Sequence, residues 1–387
     1  MSAAAREALR EEMTRAAARL RAQTGALYDS ATGRRWATHG LAALRVGYGL
    51  AILGILLSSL NEWQRIWGTQ SPFTPELMQR YLTDAGAVTL FTLSDSAWWS
   101  TLLLAATVAA ALLFALGWRT RLVTPVLFVL VVSWHERNPL VVDGGDNVLR
   151  LVLVYLLLAD CSAVWSLDAR RRRLQGRAGT SAPTDGSLWR ACTVLHNTAI
   201  VAVIVQICYV YLASAMFKVQ GSMWQNGTAL YYTLRVAEFS PWPGLSELLY
   251  THASLITALT YGTVFFQIAF PFLLLNRTTR GLAVLGGIGL HGGIAVLMGL
   301  PFFSLAMIAT EMVLVSERRW HALAHLAGRL RQRQGPEASL RSPRSAVSPQ
   351  RHPAIPAAKL PSRPRGVVSA DQGVPLDGGG VRTRTGD

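Results

Sequence analysis

Lysine is almost absent from this 387-residue chain, which contains only Lys218 and Lys359 and takes the rest of its basic charge from arginine. Lys218 follows the apolar run Ala191–Phe217, which is long enough to cross a bilayer. A lysine can release its proton when desolvated, whereas an arginine stays charged. One titratable amine at a membrane edge therefore indicates a functional residue. The alternative is a structural lysine that extends its ammonium group to the interface.

Cysteine and charge are also scarce. The three cysteines, Cys161, Cys192 and Cys208, lie in apolar runs without metal-ligand spacing, so we interpret them as small buried residues. Only 15% of residues are charged and 51% are hydrophobic, with a mean hydropathy of +0.29, which is typical of a membrane protein. No cleavable signal peptide is predicted, because the first forty residues lack an apolar core.

Eight apolar runs predict an all-α, polytopic membrane bundle. They are Leu41–Leu60, Trp98–Leu116, Leu122–Trp134, Val148–Trp165, Ala191–Phe217, Ser254–Leu275, Leu282–Met298 and Pro301–Val315. Most have the roughly 17–25 residues that a spanning helix needs. Leu122–Trp134 and Pro301–Val315 are short, so each is expected to be a full span, a re-entrant segment or a helix buried by its neighbours.

Arginine-rich connections alternate with acidic ones along the chain. Because positive loops stay in the cytoplasm, this pattern predicts a cell-membrane protein with both termini cytoplasmic and with Lys218 and loop 135–146 on the outer face. Residues 1–36 form a cytoplasmic segment in which Ala3–Ala26 predicts an amphipathic helix, either lying on the membrane or solvated. Residues 37–316 form the membrane domain, and 317–387 a basic, disordered cytoplasmic tail. The excess charge suits anionic lipid heads, and no nucleic-acid motif accompanies it.

A dense polar loop separates the third and fourth runs. Pro139 and Gly144 break the helix, and Asp146 or Asn147 could cap the next one. The loop is either a capped interhelical connection or a polar lid over an outer-face site. In the second interpretation its candidate catalytic residue is His135, and its candidate binding residues are Arg137, Asn138, Asp146 and Arg150, the last of which could pair with Asp143 or Asp146.

Two further constellations lie within apolar runs. Tyr211, Ser214 and Lys218 share one helix face, and a turn containing Trp224 follows them. His291 lies in a glycine-rich run, where it is either a candidate catalytic residue or a hydrogen-bonded packing residue. Gln267 and Glu311 are its candidate partners. We take Tyr211 and Trp224 as candidate substrate-binding residues.

These residues together resemble the horizontally transferred transmembrane family, which is related to the membrane domain of vitamin K-dependent gamma-carboxylase. The matching stretches are Leu44–Gly49, Trp118–Arg121, His135–Arg150, Trp165–Asp168, Lys218, Trp224 and Gly227–Leu230. The resemblance covers roughly residues 37–316.

The resemblance implies a reduced membrane quinone, such as menaquinone or vitamin K, as cofactor. Lys218 would then be the base that deprotonates the quinol, and His135 would assist. The carboxylase carries a large lumenal domain that engages its peptide substrate, whereas only a basic tail follows the membrane part here. An alternative is therefore a non-enzymatic protein that binds a lipid or peptide, or that helps a secreted peptide to mature or leave the cell.

Overall fold

The structure is a computed structural model that describes residues 3–176 and 186–333. Every regular element within these residues is helical. The α-helices are α1 (Ala3–Gly33), α2 (Thr38–Ser58), α3 (Trp63–Ile66), α4 (Pro75–Ala85), α5 (Ala97–Leu116), α6 (Thr120–Arg137), α7 (Gly144–Leu156), α8 (Leu167–Leu174), α9 (Ser187–Gln220), α10 (Ser222–Gln225), α11 (Ala229–Thr233), α12 (Pro243–Tyr250), α13 (Ala253–Leu273), α14 (Arg280–Leu297), α15 (Pro301–Glu311) and α16 (Glu317–Arg333). Short 3₁₀ turns occupy Leu90–Leu93, Pro139–Val141, Ala237–Phe239 and Met312–Leu314.

Five of the helices in this part of the chain are long and apolar enough to cross a membrane. They are α2, α5, α9, α13 and α14. The short run Leu122–Trp134 lies inside α6, which has 18 residues and contains Pro125, and the run Pro301–Val315 is divided between α15 and a 3₁₀ turn. The chain is therefore an all-α protein with several potential spans.

The predicted fourth run, Val148–Trp165, is only partly helical. Helix α7 ends at Leu156, and the chain then bends around Asp160. The Asp160 carboxylate accepts hydrogen bonds from the backbone N–H and the hydroxyl of Ser162, at 3.0 and 2.8 Å, and it also pairs with Arg35. An aspartate that bonds to the backbone two residues ahead favours a turn over a continuing helix. Hydropathy alone does not reveal this turn.

Helix α2 forms the centre of the bundle. Leu41, Leu44, Tyr48 and Ile52 are all fully buried within it. Helices α5 and α15 pack on α2, and small residues allow a close approach, because a Cβ at position 49 would lie 2.6 Å from the Cβ of Ala115. Backbone proximity of this kind is how apolar helices associate in lipid, where the hydrophobic effect does not drive them together.

The bundle has two ends that differ in composition. We call one the arginine-rich end, where α2 and α9 begin and α5 and α7 finish. The other is the Lys218 end, where α6 and α9 finish and α7 and α15 begin. At the arginine-rich end, Asn197 accepts a hydrogen bond from Trp36 N and donates to the carbonyls of Ala31 and Arg34. This tie joins the end of α1 to α9.

A buried clasp closes the arginine-rich end. Arg45 is fully buried and donates hydrogen bonds to the carbonyls of Phe114, at 2.7 Å, Ala115, and Trp165, at 2.6 Å. The carboxylate of Asp168 accepts from the first two N–H groups that lead into α6, those of Arg119 and Thr120, each at 3.0 Å. Three of the stretches that carry the family resemblance therefore meet in one structural unit, the Arg45 clasp.

The segments outside the apolar runs are partly helical. Helix α1 extends through Gly33, beyond the predicted Ala3–Ala26, and is exposed along most of its described length. Residues 317–333, which the sequence places in a disordered tail, form α16 instead, because Glu317 attaches its first turn to Thr38 and His39 of α2. The rest of the predicted tail, 334–387, lies outside the described residues.

Candidate functional site

His135 lies in the last turn of α6, and its side chain is 1% exposed. Its Nε2 is 3.6 Å from an Asp146 oxygen, which is an electrostatic contact but too long for a strong hydrogen bond. Neither ring nitrogen has a hydrogen-bond partner among the described residues, and the ring packs on Trp134 with 4.3 Å between centroids. The residue is therefore buried with unused hydrogen-bonding capacity.

Arg137 and Asn138 stabilise the loop that precedes α4. Arg137 donates to the carbonyls of Phe73 and Gly68 at 2.8 and 2.9 Å, and Asn138 donates to that of Ile66 at 2.8 Å. Both side chains are buried. Their donors serve the protein's own backbone, so at these two predicted binding residues the geometry favours the interhelical connection over the polar lid.

The other predicted binding residues of this loop cap or clamp α7. Asp143 is the N-cap of α7, and Asp146 completes a capping box by accepting from the Asp143 N–H at 3.1 Å. Burial, together with the neighbouring Asp146 charge, raises the pKa of the Asp143 carboxyl above its usual value. The predicted partners of Arg150 are wrong. It pairs with Glu136 at 2.9 Å, because that carboxylate lies opposite on the last turn of α6 and also accepts from Tyr81.

A second polar cluster is buried between α9, α14 and α15. Tyr211 is 1% exposed and donates a short hydrogen bond to Glu311, which is fully buried. His291 Nε2 is 3.1 Å from the same phenol oxygen. Gly287 lies against the Glu311 carboxylate, so a larger side chain there would displace it. Tyr211 therefore joins the predicted histidine to a buried acid, and we call these three residues the Tyr211 cluster.

Lys218 continues the same face of α9. Its Nζ donates to Ser214 Oγ at 2.5 Å, and Gln267 Nε2 of α13 approaches that hydroxyl at 3.5 Å. Nζ also lies 5.2 Å from the centre of the Trp224 ring, within the range of a cation–π contact. No carboxylate of the described residues forms an ion pair with Lys218. The Lys218–Ser214 contact confirms the predicted shared helix face for these two residues.

Lys218 and His291 are thus brought together through one helix face, whereas His135 lies in a separate cluster. The contacts that lead from His291 to His135 run through Phe303, whose ring centroid is 5.5 Å from that of His291 and whose ring also lies against Gly145. Gly145 is next to Asp146, the neighbour of His135. A series of contacts through Phe303, Gly145 and Asp146 therefore links the two histidines.

Several buried polar atoms around the Tyr211 cluster have no hydrogen-bond partner among the described residues. They are Gln267 Oε1, His291 Nδ1 and Glu311 Oε2. Buried polar atoms are nearly always hydrogen-bonded, so three such atoms on neighbouring helices indicate a region able to bind a polar group or to transfer protons.

A cavity of about 460 Å³ lies at the same end and is lined by residues that follow Lys218 in the chain. Its wall is formed by the turn that follows α9 and by the segment around α11, and it includes Trp224, Tyr232, Val236 and Phe239. It shares Trp224 with Lys218. A mostly apolar wall beside one amine is suited to an amphipathic ligand with a polar head.

The sequence names Gln267 and Glu311 only as candidate partners of His291, and Ser214 only as a neighbour of Lys218. In the structure Glu311 reaches His291 through Tyr211, and Gln267 approaches Ser214. Glu311 did carry a signal, because it is the only acid within the run Pro301–Val315 and intramembrane acids are usually functional or paired. Ser214 and Gln267 are ordinary polar residues in apolar helices. Only the packing of α9 on α13 brings them together.

Comparison with known proteins gives limited information. No protein-family profile matches the chain, and no solved structure matches it. An uncharacterized protein of Bacillus subtilis, YitO, is 27% identical over 209 residues, which is 52% of this chain and 62% of YitO. The chain thus matches less than two thirds of that relative.

Proposed function

We propose that this protein is a membrane-embedded enzyme that uses Lys218 as a base toward a reduced membrane quinone, as its resemblance to the horizontally transferred transmembrane family implies. One observation carries the proposal. The lone lysine of the membrane region lies on the same helix face as a buried tyrosine that contacts both a histidine and an acid. Chains of titratable groups inside membranes are typical of proton-handling proteins.

Lys218 is suited to accept a proton at Nζ. No carboxylate among the described residues forms an ion pair with it, and Ser214, which Gln267 also approaches, can orient it by a hydrogen bond. Arginine could not take this role, because its guanidinium stays protonated. Ser214 and Tyr211 occupy successive turns below Lys218, so the Tyr211 cluster offers a second place for the proton within the bundle.

The residues near Lys218 fit a quinone head group. The cavity that shares Trp224 with Lys218 supplies apolar and aromatic walls, and the buried Oε1 of Gln267 has no hydrogen-bond partner within residues 3–176 and 186–333. Trp224 and Tyr232 would hold the ring, and Lys218 would bind the phenolic hydroxyl. When bound, a reduced quinone would supply an acidic phenol and reducing equivalents. His135 would assist, as the resemblance implies, from its position beside Asp146.

The proposal includes a membrane topology of eight crossings with the arginine-rich end in the cytoplasm. The five long apolar helices support it, as does the packing of α6, α7 and α15 among them. Cysteines introduced at the exposed positions Val88 and Leu174 provide a test, because these positions lie at the Lys218 end and the arginine-rich end, respectively. In intact cells an impermeant maleimide should label only Val88→Cys.

The enzymatic test uses the full-length protein in lipid nanodiscs with reduced menaquinone and oxygen. Quinone epoxide formation is expected, and Lys218→Ala and Lys218→Arg should both reduce its rate by about 10²-fold or more, the usual contribution of a general base. The other lysine offers a matched control, because Lys359→Ala should leave the rate unchanged. No epoxide from the wild type, or equal epoxide from Lys218→Ala, would refute the enzymatic proposal.

A second function is favoured by the position of Lys218 over the Trp224 ring. A cation–π contact stabilises the charged amine, and a charged amine beside an apolar cavity is suited to the anionic head group of a lipid or the carboxylate of a secreted peptide. Under this proposal Lys218→Arg retains binding and Lys218→Ala loses it. Binding of an anionic lipid, measured by native mass spectrometry, therefore separates the two functions.

A further inference from the structure

A histidine–carboxylate cluster lies at the arginine-rich end, away from Lys218. It consists of His39 in the first turn of α2, and Glu317 and His321 of α16. Each can offer one ligand atom, and these atoms all lie within 4.8 Å of one another. We propose that His39, Glu317 and His321 bind a divalent transition-metal ion such as Zn²⁺, which fastens α16 to the start of α2.

The local structure explains why these side chains meet. Glu317 and His321 are four residues apart on α16 and therefore share one helix face. Glu317 Oε1 accepts from Thr38 Oγ1 at 3.0 Å and from the His39 N–H at 3.2 Å, so this carboxylate caps α2 from a distant part of the chain. Its second oxygen contacts His39 Nδ1. The carboxylate is thus oriented by the backbone of α2, as second-shell contacts orient metal ligands.

The three ligands match a known metal preference. Two imidazoles and one carboxylate suit Zn²⁺ and its neighbours in the transition series, and three protein ligands leave a fourth position open. Tetrahedral Zn²⁺ ligands lie about 3.3 Å apart, given bond lengths of about 2.0–2.1 Å. The cluster needs to contract by about 1.5 Å at most, which rotation of the partly exposed side chains can supply.

An ion pair alone does not account for the cluster. His39 and Glu317 already satisfy each other, yet a second imidazole is present, with 5.1 Å between the ring centroids of His321 and His39. His321 makes no hydrogen bond among the described residues. The neighbouring Arg319 lies against Gly281 of α14, so its charge is directed away from the cluster.

Metal binding would have a structural consequence. A metal ion would replace the direct contact between His39 and Glu317 and would also recruit His321. Three side chains would then hold α16 to the start of α2 through one ion. Binding should therefore reduce the motion of the first turns of both helices.

The test is a calorimetric titration of Zn²⁺ into the full-length protein in detergent, purified without a histidine tag and stripped with EDTA. A His352→Ala background excludes the imidazole of the C-terminal segment. One Zn²⁺ site per chain is expected. His321→Ala should lower its affinity for Zn²⁺ by about 10-fold or more, since even the loss of a residue that only orients a metal ligand has an effect of that size. The matched control is His325→Ala, one turn further along the same helix and exposed, which should bind as the wild type does.

Hydrogen exchange separates a metal clamp from nonspecific binding. Zn²⁺ should slow exchange at residues 38–41 and 317–321 in the wild type and not in His321→Ala. Because His321 caps nothing, its substitution should leave the metal-free melting temperature unchanged, so a loss of binding would not reflect misfolding. The proposal is overturned if the wild type does not bind Zn²⁺, if His321→Ala binds as tightly, or if His325→Ala loses as much affinity.

Discussion

Substitution of Arg45 by methionine tests the Arg45 clasp most directly. The change keeps an unbranched apolar stem and removes a guanidinium that donates to three backbone carbonyls from a fully buried position. A hydrogen bond to a charged group contributes about 1.5–3 kcal/mol, and these contributions are offset by the desolvation of the guanidinium. Because the three carbonyls stay buried and lose a donor, we expect a net loss of about 3–5 kcal/mol in the free energy of unfolding.

Equilibrium unfolding of the purified protein in mixed micelles gives this free energy. Arg45→Lys should recover only part of it, because an ammonium group cannot reach carbonyls of α5 and the Trp165 loop with the fork geometry of arginine. Arg121→Met is the control, since Arg121 is exposed near the same end of the bundle, and its effect should stay within about 0.5 kcal/mol. A loss below about 1 kcal/mol for Arg45→Met would show that the clasp does not stabilise the bundle.

The other predictions concern local features. Burial acts to raise the pKa of the Asp160 carboxyl, but the hydrogen bonds from Ser162 and the nearby arginines outweigh it, so this pKa lies below its usual value. The ionised carboxylate therefore stabilises the fold at neutral pH, and this stabilisation disappears as pH falls below about 4. Asp160→Asn should unfold at a lower temperature than the wild type at pH 7, and its melting temperature should depend less on pH in the acid range. Gly227 has φ +73°, and a Cβ there would lie against Thr257, so Gly227→Ala should lower the free energy of unfolding by about 1–2 kcal/mol for the backbone strain and by a further amount for the clash. Gly86→Ala is the control, because Gly86 has a similar φ but open space around it, and it should show the backbone strain alone. Asp143→Ala should lower the free energy of unfolding by about 0.5–2 kcal/mol through loss of the α7 cap, and Asp143→Asn should retain most of it.

Hydropathy predicts the helical class and the position of most long helices, because each spanning helix must carry its own apolar residues. It predicts the ends of helices less well. Helix α7 stops at Leu156 although apolar residues continue, since Asp160 and Ser162 form a turn held by Arg35. Such a turn depends on a partner 125 positions away in the chain, and no local pattern contains it.

Helical periodicity predicts part of the candidate site. It places Tyr211, Ser214 and Lys218 on one face, and the Lys218–Ser214 bond confirms this for those two residues. It does not show that Tyr211 reaches both His291 and Glu311, because this requires α14 and α15 to pack on α9 in one register. Long-range packing, rather than residue type, determines that constellation.

The loop 135–150 shows which of two interpretations the local contacts favour. The sequence is consistent with either a capped interhelical connection or a polar lid. Arg137 and Asn138 bond to backbone carbonyls and Asp143 caps a helix, which favours the connection at these residues. In an apolar surrounding, loop backbone needs polar side chains to satisfy it. His135 differs from these neighbours, since neither of its ring nitrogens forms a hydrogen bond with any of the described residues.

The Arg45 clasp also has a consequence for the order in which the chain assembles. Arg45 lies early in the sequence, the carbonyls it binds come 69 and 70 residues later, and its last partner is 120 residues away. The carboxylate that caps α6 arrives 48 residues after Thr120. During synthesis, α2, α5 and α6 therefore leave the ribosome before their connections are closed. The contacts of Arg45 with Trp165 and of Asp168 with α6 can form only after residues 165–168 have left the ribosome. A chain stopped before residue 165 should therefore be more sensitive to proteolysis than a chain that includes these residues.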